Sequence, residues 1–219
     1  GQGPTPVVIR GGRVIDVSNS APTVSALLQS WGGDISGDDK GVFQDLDIKH
    51  SWEQQTSPKL LAPIDLQVIK ASGVTFATSA VERVIEERAR GDAEKAHEIR
   101  NLLQEKIGTE IRAVVPGSSE AEALKEILIA EGLWSQYLEV AIGPYAEIFT
   151  KGPALSSVGW GDYIGVRSDS NWNNPEPEVA IVCNGQGEPV GAVLGNDVNL
   201  RDIEGRSALL LGKAKDNNA

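Results

Sequence analysis

The sequence predicts an α+β fold that is rich in strands, with a helical segment inserted ahead of the main run of strands. Short apolar runs separated by glycine occupy both ends of the chain, and runs of this length are typical of strands. Between about residues 79 and 138 the period becomes helical, and many Glu, Lys and Arg residues recur there at helical spacing. The length of 219 residues, 40% of them hydrophobic, fits one large or two unequal globular domains.

The first part of the chain, residues 1–61, predicts a small N-terminal β module followed by a linker. The run Val7–Val17 predicts a hairpin that turns at the glycine pair Gly11 and Gly12. Residues 23–31 predict a short helix, and a loop rich in glycine and aspartate follows up to Gly41. We identify no catalytic chemistry in this module.

The remainder, residues 62–219, predicts a β-rich domain that carries the helical insertion. A strand is expected over 64–69, and helices are expected over 79–90, from Asp92 to 107, and over 119–137, where Ser119 and Glu122 form a capping box. Five further strands are expected, over 147–151, 163–166, 178–183, 190–198 and 208–211. Strands at this spacing indicate a sandwich or roll, and the helical segment at about 79–138 is placed to act as a lid.

Charge and composition exclude several classes of function. The net charge is −11 and no basic cluster occurs, which argues against a nucleic-acid partner. No apolar run reaches membrane-spanning length, and no charged-then-apolar leader opens the sequence. The single Cys183 excludes an internal disulfide framework and suits a reducing cytoplasm, where we expect the protein to be located.

Three carboxylates are expected to converge on one hairpin. Because strand side chains alternate, Glu176 and Glu178 share a face. Residues 184–189 predict a turn, and a hairpin folded about its middle brings Asp197 opposite Glu176. Such a trio suits a hard cation such as Mg²⁺ or Mn²⁺. A solvated acidic face explains the same spacing equally well, so at this point both interpretations stay open.

Five motifs follow one another along the chain: Gly73–Phe76, Phe149–Lys151, Glu176–Glu178, Asn196–Asp202 and Gly212–Asp216. In this combination and order the chain resembles the fumarylacetoacetate hydrolase superfamily. The resemblance covers roughly residues 62–219. It implies a mixed β-sandwich roll in which Glu176, Glu178 and Asp197 hold Mg²⁺, with Mn²⁺ or Ca²⁺ as alternatives, and a small-molecule 2-oxo acid substrate that chelates the metal.

Within that superfamily, the chain resembles the branch of 2-keto-3-deoxy-arabinonate (pentonate) dehydratases. Residues 165–172 leading into the Glu-Pro-Glu motif, and Glu82-Arg83 on the first lid helix, carry this resemblance. Hydrolases of the superfamily usually have histidine where this chain has Ser79. The resemblance therefore implies Mg²⁺-dependent dehydration of a 2-keto-3-deoxy sugar acid, a pentonate, to 2,5-dioxopentanoate.

The resemblance also implies roles for individual side chains. Lys213 is the expected carboxylate contact or base, and Glu82, carried by the lid, is the expected acid for the departing C4 hydroxyl. Lys151, Ser79 and Phe76 are expected to contact the substrate. Loss of a general acid costs about 10²–10⁴-fold in rate, so Glu82→Gln is expected to lower kcat within that range.

Two alternatives to dehydration remain open at the sequence level. One is hydrolysis or decarboxylation of a 2,4-dioxo acid on the same metal platform, and the other is a non-catalytic sugar-acid-binding or interaction module. Relatives continue beyond the Gly212–Asp216 motif with strands that close the roll, so we expect the 219 residues to be an incomplete roll. A homo-oligomer, dimer or tetramer, is also expected.

Overall fold

The computed structural model describes residues 3–32, 35–48, 58–73, 84–85, 88–89, 93–107 and 114–219. The strands are β1 (Val7–Arg10), β2 (Arg13–Asp16), β3 (Asp38–Val42), β4 (Ile69–Ser72), β5 (Ile148–Gly152), β6 (Asn173–Asn174), β7 (Pro177–Cys183), β8 (Pro189–Asn196) and β9 (Asn199–Leu200). The helices are α1 (Val24–Gln29), α2 (Ala93–Ile107), α3 (Ser119–Ala130), α4 (Gln136–Ile142), α5 (Arg201–Glu204) and α6 (Leu211–Ala214), with 3₁₀ turns at Phe43–Asp45 and Ala208–Leu210. None of the described helices is long and apolar enough to cross a membrane.

The chain divides into two compact units. One unit combines residues 1–70 with 150–219, and the other consists of residues 71–149. Strands β4 and β5 pair with each other, and the boundary between the units falls within both strands. The mixed α/β character with small sheets is the fold class expected from the sequence. The sandwich roll, the lid and the division at residue 61 stay predictions.

The N-terminal sheet has three strands in the order β1-β2-β3. The β1–β2 hairpin turns at Gly11 and Gly12, which have φ of 57° and 76°, as the sequence predicts. Strand β3 was expected to be loop, and that prediction is wrong. Its sequence has weak strand propensity, but it gains a partner in β2 because Gly37 has no Cβ to clash with the carbonyl oxygen of Asp16.

The unit of residues 71–149 is helical around one apolar cluster. Its buried members are Val84, Ile85, Ala121, Leu124, Leu128, Leu133, Leu138, Ala141 and Ile142. Helix α2 ends at Ile107, as predicted. The single helix predicted over 119–137 is instead two helices, because Gly132 at φ 65° ends α3 and its N–H bonds back to the carbonyl of Ile129. The cap of α3 is Ser118, whose hydroxyl accepts from Ala121 N, one residue before the expected capping box.

The strand predicted over 64–69 begins only at Ile69, because Asp65 is used to hold helix α1. The Asp65 carboxylate accepts from the backbone N–H groups of Val24 and Ser25 at 2.6 and 2.9 Å. The Ser25 hydroxyl in turn accepts from Leu66 N at 3.2 Å. Backbone and side-chain groups committed to this cap are not available to a sheet.

Two strands predicted near the C-terminal end are absent from the described structure. Residues 163–166 run without a strand partner, and Gly165 N donates instead to the side chain of Asn218. Residues 208–211 form a 3₁₀ turn that leads into α6, with Leu210 N bonded to the carbonyl of Ser207. Alanine and leucine are strong helix formers, and here local propensity decides the conformation.

In the unit that combines residues 1–70 and 150–219, the C-terminal residues support the hairpin of β7 and β8, which we call the acidic hairpin. Strands β7 and β8 pair with each other, and β6 pairs with β9. Leu200, Ile203 and Ala214 form a small cluster beneath, each at most 3% exposed, with Leu210 packed against it. Asn199, Glu204 and Lys215 are each the immediate neighbour of one of these buried residues, so the cluster fixes the positions from which they extend.

Candidate metal centre

The β7–β8 register brings the three predicted carboxylates together. Pro177 pairs with Asn196 and Glu178 pairs with Gly195, so Glu176 and Asp197 lie opposite each other just before and just after the paired region. Asp197 N donates to the carbonyl of Glu176 at 2.9 Å, and Glu176 N donates to the side chain of Asn196 at 2.9 Å. The hairpin therefore has the register that alternation of side chains predicted.

Each of Glu176, Glu178 and Asp197 offers one carboxylate oxygen, and these three oxygens lie within 4.8 Å of one another. Asp197 is buried, Glu176 is half-buried and Glu178 is exposed. Burial and the neighbouring carboxylates of Asp197 and Glu176 raise the pKa of Glu178 above its ordinary value of 4.5. Mutual repulsion of this kind is what a bound cation relieves.

Lys215 is the counter-charge of two of these carboxylates. Its side chain is only 4% exposed, and Nζ donates to Glu176 Oε2 and, at 2.9 Å, to Asp197 Oδ2. Burial lowers the pKa of Lys215, but hydrogen bonds to Glu176 and Asp197 outweigh it and leave the pKa above 10.5. The side chain therefore carries its proton beside the acidic trio.

Lys151 is the second buried lysine, with a side chain that is 1% exposed. Its ammonium donates to the carbonyls of Val198 and Lys215 at 2.9 and 3.0 Å and to the side-chain oxygen of Asn217, and it lies 3.4 Å from Asp197 Oδ1. Burial lowers its pKa, which the charge of Asp197 opposes. These contacts connect the segment that carries Lys215 to Asp197 and Val198, which lie between β8 and β9.

A third set of contacts lies behind Glu176. Asn199 is fully buried, and its Nδ2 donates to Glu176 Oε1 at 3.0 Å and to Glu204 Oε2 at 2.6 Å. Arg201 Nη1 pairs with the same Glu204 oxygen at 2.9 Å. Both oxygens of Glu176 are therefore engaged, one by Asn199 and the other by Lys215.

The residues present fit a hard divalent cation. Three carboxylate oxygens converge, and oxygen is the ligand type that Mg²⁺, Mn²⁺ and Ca²⁺ prefer. Asp197 Oδ1 is buried and accepts no hydrogen bond from any described residue, although the Lys151 ammonium lies 3.4 Å away. This oxygen therefore keeps the capacity to accept a cation as a ligand. Three carboxylates face two ammonium groups, and the formal charge of −1 that remains favours cation binding.

Of the remaining predicted site residues, Lys213 is described by the structure, whereas Phe76, Ser79 and Glu82 are not. Lys213 is exposed, and Lys215, two residues further along, is the lysine that contacts the acidic trio. Phe76, Ser79 and Glu82 lie outside the described residues, so their roles stay predictions, as do those of Lys213 and Lys151. Lys215 and Asn199 are not among the site residues predicted from the sequence. Helical spacing places Ala214 and Lys215 on the face of Leu211, but the sequence predicts a strand over residues 208–211 and no helix after it.

The chain is similar to dehydratases that act on 2-keto-3-deoxy sugar acids, although no family model matches it. Over 79 residues it is 47% identical to a probable 2-keto-3-deoxyxylonate dehydratase of Haloferax volcanii, which covers 36% of this chain and 27% of that protein. Over 69 residues it is 44% identical to the 2-dehydro-3-deoxy-D-arabinonate dehydratase of Saccharolobus solfataricus, which covers 32% and 23% of the two chains.

Solved structures show the same likeness over most of the chain. A 2-keto-3-deoxy-D-arabinonate dehydratase complexed with magnesium and 2,5-dioxopentanoate aligns with a TM-score of 0.57 and 22% identity, covering 95% of this chain and 56% of that one. The apo form of such a dehydratase aligns with a TM-score of 0.58 and 22% identity, covering 97% and 59%. The chain thus spans less than three fifths of these solved proteins, and it shares the fold of that part.

Proposed function

We propose that the chain takes part in the Mg²⁺-dependent dehydration of a 2-keto-3-deoxy sugar acid, a pentonate, to 2,5-dioxopentanoate. The observation that carries the proposal is the acidic trio. Its buried member Asp197 has an oxygen, Oδ1, that accepts no hydrogen bond from the described residues, and the buried Lys215 is its counter-charge. The relatives are dehydratases of 2-keto-3-deoxy sugar acids, which indicates the substrate class, and one solved neighbour is a complex with magnesium and 2,5-dioxopentanoate. Membership of the fumarylacetoacetate hydrolase superfamily belongs to the same proposal.

Glu176, Glu178 and Asp197 would hold the cation. A divalent cation held there supplies positive charge to the keto oxygen of a 2-oxo acid, which makes the neighbouring C3 proton more acidic. The reaction removes that proton from C3 and the hydroxyl from C4 as one water, which leaves a double bond between C3 and C4. Proton shifts from C5 and its hydroxyl to C3 and C4 then give the C5 aldehyde of 2,5-dioxopentanoate, and the carbon count is unchanged.

Lys215 is our candidate for the proton-carrying group of the chain. Its Nζ lies among the trio and within a buried network, whereas Lys213 is exposed. In the described structure Lys215 is protonated, because Glu176 and Asp197 stabilise its positive charge more than burial disfavours it. It therefore supplies a positive charge, and a proton at Nζ, beside the place where a substrate carboxylate or hydroxyl would bind. Glu82 remains the proposed acid for the C4 hydroxyl.

Product analysis tests the reaction. The purified chain would be incubated with a 2-keto-3-deoxy-pentonate and Mg²⁺, and products would be identified by mass spectrometry. Dehydration gives one product of unchanged carbon number that lacks one water, whereas cleavage of a 2-oxo acid gives pyruvate. Detection of 2,5-dioxopentanoate that disappears in Glu178→Gln supports the proposal. Pyruvate would favour hydrolysis, and binding of the sugar acid without turnover would favour a non-catalytic module.

A further inference from the structure

Asn199 stands out among the residues to which neither the sequence motifs nor the proposed reaction gives a role. It is fully buried, with no accessible surface, although its side chain is polar. A buried polar side chain is costly unless its hydrogen bonds are made. Its contacts should therefore explain why an amide occupies this position.

Both partners of the Asn199 amide nitrogen are carboxylates. Nδ2 donates to Glu176 Oε1 at 3.0 Å and to Glu204 Oε2 at 2.6 Å. An asparagine amide has two N–H bonds on one planar nitrogen, so it can give one to each oxygen. An oxygen in the same place would face two acidic groups and repel both. The amide orientation is thus dictated by its two neighbours.

The backbone of Asn199 is fixed relative to the strand that leads to Glu176. Asn199 lies in β9 and pairs with Asn174 of β6, two residues before Glu176. The next residue, Leu200, is fully buried in the cluster beneath the site. A side chain held in this way acts as a rigid support, in contrast to a flexible surface partner.

We propose that Asn199 is a positioning residue, which holds Glu176 in the orientation that a divalent cation requires and thereby sets the preference of the centre for Mg²⁺ over Ca²⁺. With Oε1 held by Asn199, the other oxygen, Oε2, is directed to the side of Asp197, where Lys215 contacts both carboxylates. Partners that hydrogen-bond ligating carboxylates typically tune metal affinity about 10–100-fold. The inference rests on the proposed metal centre.

A comparison of Mg²⁺ affinity with Ca²⁺ affinity distinguishes an effect of the Glu176 orientation from an effect of the charge of the site. Mg²⁺ demands near-ideal octahedral geometry, whereas Ca²⁺ accepts a flexible arrangement of oxygen ligands. A Glu176 side chain released from Asn199 should therefore cost Mg²⁺ affinity more than Ca²⁺ affinity. Added negative charge by itself would instead raise the affinity for both cations.

Calorimetric titration of Mg²⁺ and of Ca²⁺ into the purified chain tests the inference. In Asn199→Asp we expect Mg²⁺ affinity to fall about 10–100-fold, and Ca²⁺ affinity to fall less, even though the site gains negative charge. Asn184→Asp is the matched control, because Asn184 also donates from Nδ2 to a glutamate, Glu188, but does so at the far turn of the hairpin. It should leave both affinities unchanged.

A second variant distinguishes loss of the Glu176 orientation, which lowers Mg²⁺ affinity, from loss of folding stability. Asn199→Asp with Glu204→Gln keeps the total charge of the wild type and restores a hydrogen bond between positions 199 and 204, in the reverse direction, but not the bond to Glu176. We expect its thermal stability to recover while Mg²⁺ affinity stays low. Recovery of Mg²⁺ affinity together with stability, or an equal loss for both cations, would overturn the inference.

The results that would contradict the metal centre itself differ from those that would contradict only the role of Asn199. If the wild-type chain does not bind Mg²⁺, there is no centre for Asn199 to position, and both proposals fall together. If the wild type binds Mg²⁺ and Glu178→Gln does not, an unchanged Mg²⁺ affinity in Asn199→Asp overturns the role of Asn199 alone.

Discussion

At the scale of single residues, charge compensation holds the acidic hairpin together. Asp197 is 6% exposed and has two ammonium groups within 3.4 Å, those of Lys215 and Lys151. Glu178, in contrast, is exposed as a residue, but partial desolvation of its carboxyl group and the neighbouring carboxylates of Asp197 and Glu176 raise its pKa. The three carboxylates therefore differ in what their removal should do.

Glu178→Gln should abolish Mg²⁺ binding while the fold persists. The substitution removes one of three ligands, and it also removes repulsion from the apo site, so apo stability should hold or rise. Calorimetry measures the affinity, and thermal melting measures the stability. Glu188→Gln, at the hairpin turn, is the control and should bind Mg²⁺ as the wild type does. Unchanged Mg²⁺ affinity in Glu178→Gln would remove this residue from the centre.

The raised pKa of Glu178 also predicts a dependence on pH. A carboxyl whose folded pKa exceeds its unfolded value favours the folded state when protonated, so its contribution is present below 4.5 and is lost as pH rises through the folded pKa. Without metal, the wild type should therefore lose melting temperature relative to Glu178→Gln as pH rises above 4.5. Parallel melting curves across that range would contradict the prediction.

Lys215→Met should destabilise the apo protein. Removing one partner leaves the buried Asp197 and the half-buried Glu176 short of a counter-charge, and breaking a buried pair costs about 3–5 kcal/mol. Mg²⁺ should recover part of this loss, because it binds the folded form and restores positive charge. Chemical denaturation with and without Mg²⁺ measures both effects.

Lys213→Met is the matched control for Lys215→Met. Lys213 is exposed, so its replacement should change stability by less than about 0.5 kcal/mol. Turnover of the sugar acid then discriminates between the two lysines. Activity lost in Lys213→Met but retained in Lys215→Met would restore the role that the sequence motif assigned to Lys213.

At the scale of elements, helix α1 depends on a cap that is supplied from a distant part of the sequence. Thr23 provides the local cap, and Asp65 adds bonds to Val24 N, Ser25 N and the Ser25 hydroxyl. A helix of six residues has few internal hydrogen bonds, so the satisfaction of its first N–H groups matters. The cap also explains why the chain bends at Asp65 before β4 begins.

Asp65→Ala should cost about 0.5–2 kcal/mol of stability, the usual range for loss of a helix cap. Asp65→Asn, which keeps one acceptor oxygen, should lose less. Burial raises the pKa of Asp65, but the bonds from Ser25 and its neighbours lower it below 3.8 overall. The stabilisation is therefore present above pH 3.8 and is lost as pH falls through the folded pKa. Urea denaturation at neutral and acidic pH tests this, and equal stability of Asp65→Ala and wild type would show that the cap is dispensable.

At the scale of the whole molecule, the face of the β7–β8 hairpin opposite the acidic trio is apolar and exposed. Val179 pairs with Leu194 and Ile181 pairs with Ala192, and Val179, Leu194 and Ile181 are 66%, 84% and 59% exposed. A two-stranded sheet with an exposed apolar face is a site of association. The net charge of −11 opposes association through repulsion between molecules.

We therefore expect concentration-dependent self-association that strengthens with salt, because salt screens the repulsion and leaves the apolar contact. Ile181→Thr with Leu194→Thr should weaken it without loss of melting temperature, and sedimentation velocity would measure the change. Leu209→Thr is the control, since Leu209 is 94% exposed but lies outside the hairpin. Equal association in the hairpin variant and the wild type would show that this face is not responsible.

The sequence by itself determined the features that depend on neighbouring residues along the chain. The period of two along β7 and the turn at residues 184–189 fix the Glu176, Glu178 and Asp197 trio, and local periodicity fixes α2. Tertiary structure decided the rest, because the deciding partner is remote. Asp65 bends the chain only because α1 needs a cap about forty residues away, and residues 38–42 become a strand only because β2 offers an edge. Lys215 and Asn199 acquire their contacts with Glu176 when the Leu200, Ile203 and Ala214 cluster packs, and no local pattern encodes that packing.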